Sequence, residues 1–356
     1  MRFVRASELK RGLRIGRPIF DKKGDLIFDR DQKLTDADIV KIRGLKIMGI
    51  FALEPAEPLP PFGSIEFELE RQRFISTFAL RDEMQSILVL HRAHKIDKIA
   101  ESLISSFDGI KNRISFPQSV RSKDEYICAH SVNAAILTIL ISYRLALTGP
   151  DKRNAVYAAL LHDIGKYAVP ESVLEDESAE ETERILFNAQ DVGFELIGTL
   201  FDGDKKVMNT CIESHRILRN HRFERKPDVD KPTLLTKILV VADSFESMTS
   251  IDATGGSEPK SYPLALRHMR YYPEVYDIKV VEALEASIEI LNPGATVMLN
   301  NGKQALVTAL SGDDVLRPTV LELGTNRIIN LEEQINRDLE IVDVVRKLDN
   351  RHVVDR

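Results

Sequence analysis

The sequence contains no tryptophan, and aromatic residues account for only 6% of its 356 positions. Its two cysteines, Cys128 and Cys211, are too few for a disulfide framework, and such sparse use is typical of a reducing compartment. Neither sign of charge predominates, because 49 basic residues stand against 55 acidic ones and give a formal net charge of −6. This balance does not favour general binding to nucleic acid, which requires a strongly basic surface.

Long apolar runs are missing as well. The longest stretch without a charged residue or a histidine covers 131–143 and includes Ser, Asn and Thr, whereas a bilayer span needs about 20 mainly apolar residues. The N-terminal segment MRFVRASELKRG lacks the apolar core of a secretory signal. We therefore expect a cytoplasmic protein that does not associate with membranes.

The sequence does contain enough apolar residues, 43%, for a sizeable core. Residues 1–57 predict a small α+β domain: RPIF and LIFD are short strands around a DKKGD turn, Thr35 caps a short helix, and IMGIFAL is a third strand. The proline-rich run 54–63 predicts a linker, and we assign 58–117 to this linker and to connecting helices.

A helical period of three to four residues dominates from Ser64 to about residue 292, and we assign 118–292 to a central helical domain. It predicts helices over about 124–147, 154–164 and 233–250, with Gly149-Pro150 as the stop after the first of them.

The remainder, 293–356, predicts a small β extension made of hairpins around NNG and GTN. The predicted fold class is thus mainly α, with a central helical bundle between a small α+β unit and a small β unit.

Three central segments carry metal-type ligands where a plain core would carry apolar residues. His130 lies on the apolar stripe of its helix, His162-Asp163 directly follows YAALL, and Asp243 interrupts ILVVADSF. A lone buried histidine is more often a hydrogen-bonded core residue, but a buried carboxylate is costly unless a cation is near. Two imidazoles and two carboxylates suit Mn, Fe, Zn or a similar divalent metal, with positions left open for water and substrate.

At these residues the sequence resembles a known family. DEYICAHSVNAA (124–135), ALLHDIGKYAVP (159–170) and KILVVADSFESMTS (237–250) resemble the signature segments of the HD-GYP family. These are bacterial phosphodiesterases of the HD superfamily that are associated with cyclic di-GMP. The N-terminal and C-terminal units also resemble those that accompany the family's helical domain, so the resemblance covers most of the chain.

Several family positions differ in this sequence. The histidine of a segment resembling HPEIGYEIL is replaced by Ala189, and the adjacent His-His pair corresponds to Ser-His at 214–215. The GYP tripeptide would fall at 222–224, which reads Arg-Phe-Glu, and GYP occurs nowhere in the chain. The arginine-bearing loop after the last aspartate corresponds to IDATGG at 251–256.

The resemblance implies a reduced metal centre. The single-metal set of the wider superfamily corresponds to four residues that are all present: His130, His162, Asp163 and Asp243. The resemblance also implies that Asp163 acts in catalysis and that Lys166 contacts a phosphate. We therefore expect one divalent transition metal, such as Mn or Fe, per chain.

Little of the second metal site remains in the sequence. The resemblance leaves a potentially bridging Asp163 and His215 as its remnant, and Asp191 or Glu213 could replace lost ligands. One or two ligands rarely fix a metal in water, so we expect cyclic di-GMP to be cleaved slowly or not at all.

Two functional hypotheses remain open. The first is a divergent metal-dependent phosphohydrolase or phosphodiesterase in cyclic dinucleotide signalling, whose ligand is a cyclic dinucleotide or another phosphoester. The alternative is a catalytically inactive regulatory module that uses the HD fold to bind a nucleotide or a signalling protein partner. A plain helical scaffold explains the sequence poorly, because the four metal-type ligands sit in three separate matching segments.

Overall fold

The structure is a computed structural model that describes residues 2–53, 63–116, 125–173, 177–201, 203–225, 229–250, 259–312 and 314–345. The helices are α1 (Asp36–Gly44), α2 (Ser64–Leu90), α3 (Ile96–Phe107), α4 (Tyr126–Arg144), α5 (Gly149–Leu161), α6 (Ile164–Tyr167), α7 (Ala179–Leu200), α8 (Lys206–Arg222), α9 (Leu234–Thr249), α10 (Tyr262–Tyr271) and α11 (Ile278–Glu285). The strands are β1 (Arg2–Arg5), β2 (Arg14–Ile15), β3 (Ile19–Phe20), β4 (Leu26–Phe28), β5 (Gly49–Leu53), β6 (Thr296–Leu299), β7 (Gln304–Ala309), β8 (Thr319–Glu322), β9 (Arg327–Asn330) and β10 (Ile341–Val344). The predicted mainly helical class, with small sheets near both ends, is confirmed.

The N-terminal unit contains the predicted hairpin, cap and strand. β3 pairs with β4 around Gly24, whose φ of +80° suits glycine. The Thr35 hydroxyl accepts a hydrogen bond from the Asp38 N–H, and the Asp38 carboxylate accepts one from the Thr35 N–H, so α1 begins with a capping box. The sequence reading missed β1 and β2, which flank β5 in an antiparallel sheet. The predicted linker 54–63 lies outside the described residues apart from Gly63.

Helix α4 is buried on nearly every side. Residues 128–142 are all buried, and α2, α3, α5, α9 and α11 pack around them. By length and composition alone the whole of α4, which extends beyond the stretch 131–143, is long and apolar enough to cross a bilayer. However, 83% of its apolar window is buried inside the protein, so its apolar surface forms the core.

The helix boundaries near the HDIGK segment differ from the prediction. Pro150 does not mark a stop, because it lies in the first turn of α5, where a missing backbone N–H costs nothing. Helix α5 ends at Leu161, three residues earlier than expected, and the four-residue helix α6 starts at Ile164. Asp163 therefore lies at the junction of two helices and not in a last helical turn.

Two glycines allow α6 and α7 to approach closely. A Cβ on Gly165 would lie 2.3 Å from the carbonyl oxygen of Ala189, and a Cβ on Gly193 would lie 2.6 Å from the backbone nitrogen of Gly165. Neither distance is compatible with a real side chain, so larger residues would push the helices apart. This approach brings the middle of α7 against the HDIGK segment.

The C-terminal sheet has the order β10-β6-β7-β8-β9 and is antiparallel throughout. It contains both predicted hairpins, β6–β7 and β8–β9, while β10 was not foreseen. The apolar face of the sheet joins the helical core. Arg270 on α10 strengthens the contact, because its guanidinium bridges Glu285 on α11 and Asp314 beside the sheet.

We expect Gly165→Ala to lower the free energy of unfolding by about 1–3 kcal/mol, since the added methyl group has no room between α6 and α7. The matched control is Gly44→Ala at the end of α1, where no atom lies within 4 Å of the added carbon. This control should stabilise slightly, because alanine is the better helix former. Urea unfolding of both variants measures the difference, and equal midpoints would contradict the close approach.

Candidate metal centre

The two predicted histidines and Asp163 meet in a compact buried cluster. The Nε2 atoms of His130 on α4 and His162 after α5 lie 3.1 Å apart. Asp163 Oδ2 is 3.8 Å from Nε2 of His130, and Asp163 Oδ1 is 3.7 Å from Nε2 of His162. The potential ligand atoms of the three residues all lie within 4.8 Å of one another, and all three residues are buried. The fold thus brings together side chains that are 32 residues apart in the sequence.

The opposite ring nitrogens of both histidines are already engaged. Nδ1 of His162 donates to the carbonyl oxygen of Ala159 at 2.9 Å, because that oxygen can only accept. Nδ1 of His130 lies 2.6 Å from Oε2 of Glu246, whose other oxygen accepts a hydrogen bond from Asn133 at 2.9 Å. Such contacts orient imidazole rings in metal sites and leave Nε2 available. The donor set therefore fits a divalent transition metal.

Asp243, the fourth predicted ligand, lies at the edge of this cluster. Its Oδ1 is 3.2 Å from Nε2 of His130 and 3.9 Å from Nε2 of His162. Its side chain is 17% exposed, and the hydroxyl of Ser247 donates to Oδ1 at 3.2 Å. Asp243 is thus outside the compact group but adjacent to both imidazoles, on the side that reaches solvent.

Mutual charge compensation governs the ionisation of these groups. Burial opposes the charged form of His130, but Glu246 and Asp243 outweigh it and raise the pKa of this histidine well above its ordinary value. Burial likewise opposes ionisation of Asp163, yet Lys166 and the two histidines lower the pKa of its carboxyl group. Because buried charges are tolerated only when paired, the cluster carries cations and anions in direct contact.

Two further side chains bind the carboxylate of Asp163. Lys166 Nζ lies 2.8 Å from Oδ1 and 3.0 Å from Oδ2. Gln190 on α7 donates through Nε2 to Oδ1 at 2.8 Å and to the carbonyl oxygen of His162 at 2.9 Å. Gln190 is 1% exposed, whereas the side chain of Lys166 is 34% exposed. The carboxylate is therefore held from the α7 side by an amide and from the solvent side by an ammonium group.

Comparison with known proteins agrees with this geometry. The HD domain family matches residues 127–248, which contain all four predicted metal ligands. A cyclic di-GMP phosphodiesterase of Pseudomonas aeruginosa is 24% identical over 322 residues, which is 85% of this chain and 76% of that protein. A 3'3'-cGAMP-specific phosphodiesterase of Vibrio cholerae is 25% identical over 232 residues, 64% of this chain and 48% of that protein. No solved structure gives a significant match to this chain.

The chain carries an HD-GYP-like HD domain. The family resemblance that the sequence indicated is confirmed. The centre of this domain holds the site described above, and its HDIGK segment supplies three of the contacting residues: His162, Asp163 and Lys166.

Apart from Asp163, the predicted remnants of a second site lie outside the compact cluster, although His215 is within electrostatic reach of Asp163 and Asp191. The ring of His215 packs against Phe187 and Phe194, with centroids 5.0 and 5.5 Å away, and burial together with Lys166 lowers its pKa to about 4. Glu213 accepts a hydrogen bond from the hydroxyl of Thr236 at 2.7 Å, and Asp191 is exposed. None of the three belongs to the compact cluster.

Two further segments, 222–224 and 251–256, correspond to recognition elements of the family. At 222–224, helix α8 ends at Arg222 and Phe223 packs against Phe187. The segment 251–256 lies outside the described residues.

Sequence reasoning missed Glu246, Asn133 and Gln190. Glu246 lies three residues after Asp243, and Asn133 three residues after His130, so both share a helical face with a predicted ligand. That spacing could have identified them as supporting residues. Gln190 carried no such signal, because its contact with Asp163 depends on the close approach of α6 and α7.

We expect His162→Ala to lose the bound metal, because it removes one of two convergent nitrogens. His268→Ala is the matched control: its Nε2 lies 3.5 Å from that of His221, and neither ring belongs to the cluster. Elemental analysis measures the metal content, and equal metal content in the two variants would contradict the site.

A chelator should lower the melting temperature of the unmodified protein, since a ligand at a hundredfold excess over its Kd stabilises the folded state by about 2.7 kcal/mol. An unchanged melting temperature after chelation would count against a bound metal.

We also expect Glu246→Gln to weaken metal binding by about 10- to 100-fold, the usual effect of removing a carboxylate that orients a ligating imidazole. The control is Glu213→Gln on α8, whose carboxylate contacts Thr236 and not the cluster. Titration of each apoprotein with Mn²⁺ by calorimetry compares the affinities. A loss of affinity in Glu213→Gln but not in Glu246→Gln would reverse the assignment and favour Glu213 as a ligand.

Proposed function

We propose that this protein is a metal-dependent HD phosphohydrolase that acts on a phosphodiester bond of a cyclic dinucleotide and turns over cyclic di-GMP slowly. The observation that carries the proposal is the buried cluster of His130, His162 and Asp163, with both Nε2 atoms facing Asp163 and with Lys166 at its solvent side. The printed activities of the two relatives, on cyclic di-GMP and 3'3'-cGAMP, support the substrate class.

Each residue has a distinct task in this proposal. His130, His162, Asp163 and Asp243 would hold one divalent transition metal, such as Mn or Fe. When bound, that cation would polarise a phosphoryl oxygen and acidify a water molecule. The side chain of Lys166 is partly exposed, so its Nζ can reach an anionic phosphate oxygen and keep the substrate beside the cluster. Asp163 orients Lys166 and is the ligand nearest to it.

We expect slow turnover because the described part of the chain does not gather a second compact set of metal ligands. Ala189 and Ser214 take the places of two family histidines, and neither His215, which packs against two phenylalanines, nor Glu213, which accepts from Thr236, belongs to the compact cluster. Loss of one preorganised charge stabiliser typically lowers the rate by roughly 10²–10³. Recognition also differs from the family pattern, since GYP is absent from the sequence.

The buried, unpaired cysteines support a location in the reducing cytoplasm, where a second messenger of this class would be met. Cys128 and Cys211 are both free thiols in the core. Burial raises the pKa of Cys128 to about 12, so it is an unreactive packing residue.

A regulatory module without turnover is the second candidate, and one observation favours it. Lys166 and Gln190 already satisfy the carboxylate of Asp163, so the HD domain has an internally compensated centre even before a metal binds. In that case nucleotide or protein binding would be the output. The two candidates differ in whether product forms.

Turnover of cyclic di-GMP and 3'3'-cGAMP by Mn²⁺-loaded protein, followed by chromatography, tests the proposal. We expect measurable but slow product formation, at least 10²-fold below a complete two-metal centre. His162→Ala should abolish it, and the control His268→Ala should not.

Tight nucleotide binding without any product would select the regulatory candidate. Fast turnover that survives in His162→Ala would contradict both candidates.

A further inference from the structure

We propose that Lys166 and Gln190 together occupy the position on Asp163 that a second cation would take, and that they limit this centre to one metal ion. The inference rests on the proposed function, because it concerns the number of ions at the same site. It assigns Gln190 a role that neither the family resemblance nor the comparisons supply.

The oxygen atoms of Asp163 are used unequally. Oδ1 receives Gln190 Nε2 at 2.8 Å and Lys166 Nζ at 2.8 Å. A carboxylate oxygen has two lone pairs, so these donors fill Oδ1. Oδ2 faces Nε2 of His130 at 3.8 Å and accepts a hydrogen bond from Lys166 at 3.0 Å. A carboxylate that bridges two metals must offer one oxygen to each. Movement of the flexible Lys166 side chain would free Oδ2 and one lone pair of Oδ1, whereas the buried Gln190 stays on Oδ1 and hinders a second cation there.

The amide of Gln190 is fixed in the donating orientation. Its Oε1 accepts a hydrogen bond from the backbone N–H of Lys166 at 3.2 Å, and its Nε2 also donates to the carbonyl oxygen of His162 at 2.9 Å. If the amide were flipped, its Oε1 would face the carboxylate of Asp163 and the carbonyl oxygen of His162, which are also acceptors. Its NH₂ group would face the backbone N–H of Lys166, so that two donors would point at each other. The close contact between Gly165 and Gly193 holds α7 in this register.

The sequence changes around Gln190 point in the same direction. Where the family pattern reads His-Pro, this chain reads Ala189-Gln190, so a ligand is lost and an N–H donor is gained in adjacent positions. On α8, Ser214 stands in place of a histidine, and its hydroxyl donates to the carbonyl oxygen of Cys211 at 3.0 Å. The ammonium group of Lys166 and the amide of Gln190 thus supply a positive charge and N–H donors to Asp163, where a second cation would otherwise bind.

The decisive variant is Lys166→Met/Gln190→Glu, which removes the ammonium and places a second carboxylate beside Asp163. Two carboxylates at hydrogen-bonding distance repel each other unless a cation lies between them. We expect Mn²⁺ content to rise from about one to about two ions per chain, with EPR broadening from a pair about 3.5–4 Å apart. The unmodified protein should give the spectrum of an isolated ion.

Asn188→Asp is the matched control for the Gln190→Glu part of the change, because it adds the same single negative charge at an exposed position on α7. It should keep one isolated ion. A single ion in the folded double variant, or a coupled pair in the unmodified protein, would overturn the inference while leaving the metal-dependent function intact. No tightly bound ion in any of these proteins would overturn both.

If circular dichroism shows the double variant to be unfolded, Lys166→Met decides instead. Its side chain is partly exposed, so the substitution should be tolerated, and a second Mn²⁺ should bind weakly with the same coupled spectrum. A count that stays at one ion at saturating Mn²⁺ would overturn the inference.

Discussion

The imidazoles of His130 and His162 meet the carboxylate of Asp163 where water is almost excluded, and this contact sets the conditions for the rest of the centre. Buried charges of this kind persist only when each has a partner. Glu246 compensates His130 from one side, and Lys166 compensates Asp163 from the other. Each carboxylate of the site therefore faces a basic group, and a divalent metal would take the place of imidazole protons where the two Nε2 atoms converge.

The surrounding fold holds these charges in register. Helix α4 is buried along residues 128–142 and presents His130 from within the core, while α9 presents Asp243 and Glu246 from one face. The break between α5 and α6 turns Asp163 toward both. The glycine contact between α6 and α7 then admits Gln190. Packing of backbone against backbone thus decides which donors reach the carboxylate, and through them how many cations the centre can accept.

Sequence periodicity was sufficient for some of these features and not for others. His130 was predicted to point inward because it shares the apolar stripe of α4, and Thr35 was recognised as a cap because its chemistry is local. The two-residue strand β2 is too short to show alternation. The end of α5 was missed because YAALLHDIGK reads as continuous helix. Gln190 acts on a residue 27 positions away, through a tertiary approach that no local pattern encodes.

Anomalous diffraction from crystals of the unmodified protein loaded with Mn²⁺ would locate each ion among its ligands and so distinguish a one-metal centre from a two-metal centre. We expect one peak, between Nε2 of His130, Nε2 of His162 and Oδ2 of Asp163, with Lys166 and Gln190 still on Oδ1. Two peaks about 4 Å apart that share Asp163 would contradict this expectation, as would a peak remote from both histidines.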